Sequence, residues 1–101
     1  MSDAGGQRLG IVPTDLDGVT DLVLGVFNEV LGLREVAEDD DFFDACGGTS
    51  VQAWWAISDI EDLLGVDMEF KAFLRTPTAR ATASLLIGMV EARRSATMLR
   101  R

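Results

Sequence analysis

Apolar residues recur along this chain in stretches of helical spacing, and the pattern breaks at glycine, at proline or in runs of acid. Val19, Leu22, Val23, Val26, Phe27, Val30 and Leu31 fall at i, i+3, i+4 and i+7 intervals and predict a first helix beginning near Pro13–Asp15. Thr14 is its candidate cap, Asp15 and Asp17 suit its positive end, and Gly32 suits its stop. Gly18 and Gly25 weaken it locally. A second helix is predicted over Ser50–Leu64, stopping at Gly65. At about 100° per residue, Ala53, Ala56, Ile57, Ile60, Leu63 and Leu64 share its inner face. Val66, Met68, Phe70, Phe73 and Leu74 then cluster in a connection long enough for only one or two helical turns at Phe70–Leu74. Thr76-Pro77 reads as the cap and first position of a last helix with Ala81, Leu85, Leu86, Met89 and Val90 inward. Arg93 and Arg94 fall near its negative end. No period-two segment is long enough for a strand, and no internal repeat occurs. The predicted fold is an all-α four-helix bundle, three main helices plus one short helix before the last.

The connection between the first two helices is acidic, with Glu35, Glu38, Asp39, Asp40, Asp41 and Asp44 close together. Like charges at such spacing repel in a helix, so this run is expected as a loop, pinned to the core by Phe42 and Phe43. With 101 residues the chain makes one domain with a modest core and no room for a deep catalytic cavity. Hydrophobic residues make up 48%, too many for a disordered chain. No apolar run approaches the roughly 18 residues of a membrane span, and the first residues lack the apolar stretch of a secretory signal. A single cysteine cannot form an internal disulfide, which suits a reducing cytoplasm. The chain has no histidine, hence neither the commonest general base nor the commonest zinc ligand. An enzyme and a metal site are therefore not expected.

Charge is unevenly spread. Of the 17 acids only Glu91 lies beyond residue 70, whereas seven of the 9 cations do, from Lys71 to Arg101. The acidic part is a poor partner for nucleic acid and suits proteins with basic docking surfaces.

The chemistry points to Phe43-Asp44-Ala45-Cys46-Gly47-Gly48-Thr49-Ser50. Adjacent glycines allow a tight backbone turn, and the serine behind them opens a helix whose first N–H groups and positive dipole end favour a phosphodiester. This layout resembles the peptidyl and acyl carrier proteins, small helical bundles that carry 4′-phosphopantetheine on one serine. In those of nonribosomal peptide synthesis the pattern is Phe-x-x-Leu-Gly-Gly-x-Ser. Further landmarks appear in order: Val30-Leu31-Gly32-Leu33, Asp40-Asp41-Phe42-Phe43, Leu64-Gly65-Val66 and Thr76-Pro77-Thr78. The resemblance runs from about Val12 to Val90. Cys46 departs from the usual leucine, Asp44 and Ala45 from the usual residues, Thr49 from the common His or Asp, and Val51 from the usual leucine.

By this resemblance Ser50 is the attachment point of 4′-phosphopantetheine, placed by a phosphopantetheinyl transferase from coenzyme A. The protein is then a non-catalytic peptidyl carrier holding an aminoacyl or peptidyl group as a thioester. Its expected partners are an adenylation or other acyl-loading enzyme and downstream condensation or tailoring enzymes, without nucleic acid or membrane. The expected form is a free-standing cytoplasmic monomer. The domain is expected over 13–92, between a flexible leader at 1–12 and a basic tail at 93–101. The alternatives are an acyl carrier of a polyketide or fatty-acid pathway, and a helical interaction module without prosthetic group, in which Ser50 serves only as a helix cap.

A nucleotide-binding loop needs a lysine beside its Ser/Thr, which is missing here. Cys46 reads as a buried structural thiol, and Met68 and Met89 as packing. Trp55 falls roughly 145° from the centre of the second helix's inner face, and Trp54 lies on its boundary. Thr49, Val51, Trp54, Trp55 and Ser58 are the candidate partner-docking residues, on the stripe that partner enzymes use in similar carriers.

Overall fold

The computed structural model describes residues 13–99, so the leader expected at 1–12 lies outside the described residues. The elements are α1 (Leu16–Leu31), α2 (Ser50–Leu64), α3 (Phe70–Arg75) and α4 (Ala79–Leu99), with no strand among the described residues. The expected bundle of three main helices and a short one before the last is the observed fold. None of these helices is long and apolar enough to cross a membrane.

The glycine stops at Gly32 and Gly65 hold, with φ of 70° and 68°. Both are left-handed conformations that end a helix at little cost only when no Cβ is present. The starts moved. Asp15, not Thr14, caps α1, its carboxylate accepting from the Gly18 amide at 3.2 Å. Thr76 does not cap α4, because its own amide closes α3 by donating to the Phe73 carbonyl. The Pro77 carbonyl is drawn aside to accept from the Phe42 amide at 2.8 Å. Thr78 takes over as the cap, its hydroxyl accepting from the Ala81 amide at 3.2 Å. Helix α4 continues to Leu99, past the boundary at 92 where the basic tail is expected to begin. Ala92, Arg93, Arg94 and Ala96 favour helix, and no glycine or proline interrupts them.

The core centres on Phe27, Phe42 and Phe73, all fully buried and meeting edge-on at centroid separations of 4.9 to 5.9 Å. Each ring contributes roughly 1.5–3 kcal/mol by burial, and edge-on pairing adds to that. Val23, Ile60 and Leu86 complete the centre. Helix α1 lies between α4 and α2 and packs against both.

Two inward expectations fail. Leu63 is exposed, because it sits roughly 80° around α2 from Ala53, at the edge of the buried face. On α4 the buried residues are Ala79, Thr82, Ala83 and Leu86, while Leu85 is exposed and Ala81, Met89 and Val90 are half-buried. Small side chains face inward there, which suits close approach to α1.

The acidic loop is tied down at several points. Arg80 donates its amide to the Glu38 carbonyl at 3.0 Å, and its guanidinium lies 3.1 Å from the Glu38 carboxylate and 3.7 Å from that of Asp17. Asn28 on α1 accepts from the Val36 amide at 3.2 Å.

Candidate functional site

The approach to Ser50 is built around Phe42. Its ring is buried, and its carbonyl accepts from the Gly48 amide at 2.9 Å. Asp41 turns the chain just ahead, its carboxylate accepting from the Phe43 and Asp44 amides, both at 2.8 Å. Gly47 then adopts φ 71°, where an L side chain is strained. Gly48 is required for another reason: a Cβ there would lie 2.6 Å from Phe42 Cδ1 and 2.7 Å from the Phe42 carbonyl oxygen. One glycine supplies the conformation and the other the clearance.

Behind the turn, Thr49 is the N-cap of α2 in extended conformation, φ −107° and ψ 168°. Its hydroxyl accepts from the Gln52 amide at 3.2 Å, and the Gln52 side-chain oxygen accepts from the Thr49 amide at 3.0 Å. This reciprocal capping box satisfies two helix-start donors at once. The cap role is thereby filled by Thr49, and Ser50 occupies the first helical position. Ser50 is exposed, and its hydroxyl makes no hydrogen bond among the described residues. An uncommitted, exposed hydroxyl at the positive end of a fifteen-residue helix, two residues after Gly48, fits a phosphodiester-linked arm in space and in charge.

Val51, Trp54 and Trp55 are exposed by 57%, 60% and 55%, which is large for apolar side chains and leaves them open to a partner. Ser58 on the same stripe is half-buried, and Thr49 is exposed with its hydroxyl spent on the cap. Trp54 is not at the core edge. It stands outside, tilted against Phe70 of α3 at a centroid distance of 5.5 Å. Sequence reasoning missed Phe70 as part of this face, and nothing in the spacing linked it to Trp54. It also missed Gln52, although Thr49-Ser50-Val51-Gln52 carries the threonine-to-glutamine spacing of a capping box.

Cys46 is half-buried and not fully enclosed, because it lines an open hollow with Leu33, Val36, Asp40 and Ala45. Its thiol is nevertheless pushed above the usual cysteine range, first by burial and then by the carboxylates of Asp40 and Asp41. The thiolate is disfavoured, so Cys46 is a poor nucleophile.

Several acids have structural partners: Asp15 caps α1, Asp41 holds the turn, Asp40 accepts from the Ala37 amide and Glu61 from the Met68 amide. Asp39, Asp44, Asp59, Asp62, Asp67 and Glu69 stand exposed on the loops and on α2. They are part of the acidic excess of residues 1–70, which holds 16 of the 17 acids.

Comparison with known proteins agrees with this geometry. A family model described as "Phosphopantetheine attachment site" matches residues 21–86. The chain is similar to "Probable non-canonical nonribosomal peptide synthetase (NRPS) CymA" of Salinispora arenicola, 39% identical over 75 residues, 72% of this chain and 1% of that protein. It is similar to the isonitrile lipopeptide synthase of Mycobacterium tuberculosis, 39% identical over 64 residues, 63% of this chain and 2% of that protein. It is also similar to surfactin synthase subunit 3 of Bacillus subtilis, 38% identical over 61 residues, 60% of this chain and 5% of that protein. The chain therefore spans only a few per cent of the length of these relatives. No solved structure gives a significant match. With the family model covering most of the bundle, from within α1 to within α4, the chain belongs to the phosphopantetheine-attachment family of carrier domains, which bear cargo and do not themselves catalyse.

Proposed function

We propose that this domain is a peptidyl carrier of nonribosomal peptide synthesis, with its 4′-phosphopantetheine joined to Ser50. The observation that carries the residue assignment is the uncommitted, exposed Ser50 hydroxyl beside a neighbour that already caps the helix. The peptidyl class is supported by relatives named as a nonribosomal peptide synthetase, a lipopeptide synthase and a surfactin synthase subunit. When bound, the arm supplies a thiol on a mobile tether that holds an aminoacyl or peptidyl group as a thioester. The chain's own residues do the rest. The turn at Gly47-Gly48 lifts Ser50 clear of the core, the start of α2 favours the phosphate charge, and Val51, Trp54 and Trp55 offer an apolar face. Tethering converts each encounter with a neighbouring active site into a local event at roughly millimolar effective concentration.

The partners this reading requires are a phosphopantetheinyl transferase, an adenylating or acyl-loading enzyme, and enzymes that condense or tailor the cargo. Docking must be brief, so a small apolar patch with an acidic surround is a suitable design. The test is intact-protein mass spectrometry after incubation with coenzyme A and a permissive transferase. Wild type should gain one arm, on the peptide containing Ser50, and Ser50→Ala should gain none. Modification of the alanine variant would refute the assignment.

A further inference from the structure

We propose that Thr49 and Gln52 are positioning residues for the transfer onto Ser50, an inference that rests on the reading of Ser50 as the attachment point. Two hydroxyls stand side by side at the start of α2, and the fold treats them differently. The Thr49 hydroxyl accepts from the Gln52 amide at 3.2 Å and lies 3.3 Å from the Gln52 side-chain oxygen. That same oxygen accepts from the Thr49 amide at 3.0 Å. The Thr49 oxygen is thus committed, whereas the Ser50 oxygen has no partner among the described residues. The box therefore marks one of two adjacent hydroxyls as the acceptor.

Gln52 also reaches beyond its own helix. Its side-chain nitrogen donates to the Val30 carbonyl, one residue from the end of α1, at 3.5 Å. Oxygen and nitrogen of a single amide thus connect the first turn of α2 to the last turn of α1. Phe42 holds the turn from the preceding side, through its ring and carbonyl against Gly48. Ser50 sits between these two fixtures. In the transfer its oxygen forms the new bond to phosphorus and its proton passes to a base on the transferase. The pyrophosphate link of coenzyme A breaks, releasing adenosine 3′,5′-bisphosphate. Attack on phosphorus demands a defined line of approach, and small displacements of a reacting atom are costly. A frayed first turn would spread the Ser50 hydroxyl over many positions.

A cap that merely stabilised the fold would behave differently. Losing it would lower the melting temperature, yet at a temperature far below melting nearly all molecules would remain folded and the rate would be unchanged. Loss of positioning lowers the rate in the folded population itself. If Thr49 belonged to the docking surface instead, its loss would appear in KM.

The experiment measures transfer from coenzyme A to the whole chain by a purified transferase, with kcat and KM for the carrier determined well below the melting temperature. The variants are Thr49→Val, Thr49→Ser, Gln52→Ala and Gln52→Glu, each checked for folding by circular dichroism and for the modified residue by peptide mass spectrometry. Thr49→Val and Gln52→Ala should lower kcat about fivefold, the factor expected from the typical worth of a cap, with KM within about twofold. Thr49→Ser keeps the hydroxyl and should restore most of the rate, whereas Gln52→Glu keeps the acceptor oxygen but loses the donor to Val30 and should restore it in part. Unchanged kcat in Thr49→Val and Gln52→Ala, or a loss expressed wholly in KM, would overturn the proposal while leaving Ser50 as the attachment point. Wild-type protein modified elsewhere than Ser50 would overturn the underlying assignment instead.

Discussion

The ring of Phe42 occupies the space in which a side chain on Gly48 would begin, with Phe42 Cδ1 only 2.6 Å from the Cβ position. This contact couples a core aromatic to the serine-bearing turn, and it sets apart two adjacent glycines. Gly48→Ala must displace a fully buried ring or the backbone it packs on, and should cost about 1–3 kcal/mol, as overpacking does. Gly47→Ala meets nothing within 4 Å and pays only for its φ of 71°, about 1 kcal/mol. Thermal unfolding should rank wild type above Gly47→Ala and Gly47→Ala above Gly48→Ala. Adding Phe42→Leu to Gly48→Ala should recover part of the loss through the ring's removal. A Gly48→Ala protein that melts with wild type would contradict the packing.

The two tryptophans should separate in stability and agree in function. Trp55→Ala should stay within about 0.5 kcal/mol of wild type, as exposed substitutions do. Trp54→Ala should lose a further ~0.5–1.5 kcal/mol with its Phe70 contact. Both should slow single-turnover loading, because large exposed aromatics close to Ser50 make natural anchors. Loading at the wild-type rate in both variants would remove them from the docking face.

Cys46 should react slowly with thiol reagents at neutral pH although it is only half-buried, because its protection is electrostatic as well as steric. Raising the pH should accelerate labelling as the thiolate forms, with an apparent midpoint above that of the unfolded chain. Asp40→Asn removes one of the carboxylates that lift the thiol and should move this midpoint down. A midpoint unaffected by that change would leave burial and Asp41 as the causes.

The Thr82 hydroxyl is fully buried and has no hydrogen-bond partner among the described residues. Thr82→Val removes an unsatisfied polar atom at nearly constant shape and should stabilise the domain by about 1 kcal/mol. Thr20 is the control, since its hydroxyl donates to the Leu16 carbonyl at 2.7 Å. Thr20→Val should gain less. Equal melting temperatures for Thr82→Val and wild type would mean that the hydroxyl is satisfied in solution.

Modification and loading should slow as salt rises at fixed enzyme. The exposed acids at Asp39, Asp44, Asp59 and Asp62 act on an approaching partner across solvent, where screening sets in beyond about 10 Å at 0.1 M. A flat response to ionic strength would confine these acids to solubility.

What could be read from the chain follows from which forces act locally. The glycine stops at Gly32 and Gly65 were legible because a left-handed C-cap needs little beyond the absent Cβ. The starts were less so. Thr14 and Asp15, or Thr76 and Thr78, are neighbouring candidates, and at α4 the choice is made by bonds to distant residues such as Phe42. The inner face of α4 was misread because hydropathy favours leucine, whereas contact with α1 selects Ala79, Thr82 and Ala83 for size. At the site, the glycine turn and the exposure of Trp55 were readable from local pattern. The openness around Cys46 was not, since Leu33 and Val36 border it from across the loop.

The bonds from Phe42 to Pro77 and from Arg80 to Glu38 also set an order of events during synthesis. The loop that leads to the serine is held by residues made some forty positions later. A chain still emerging from the ribosome, and not yet extended past Arg80, has Ser50 in hand but lacks the contacts that fix its approach. The loop before Ser50 therefore takes its final form only after the start of α4 has been made.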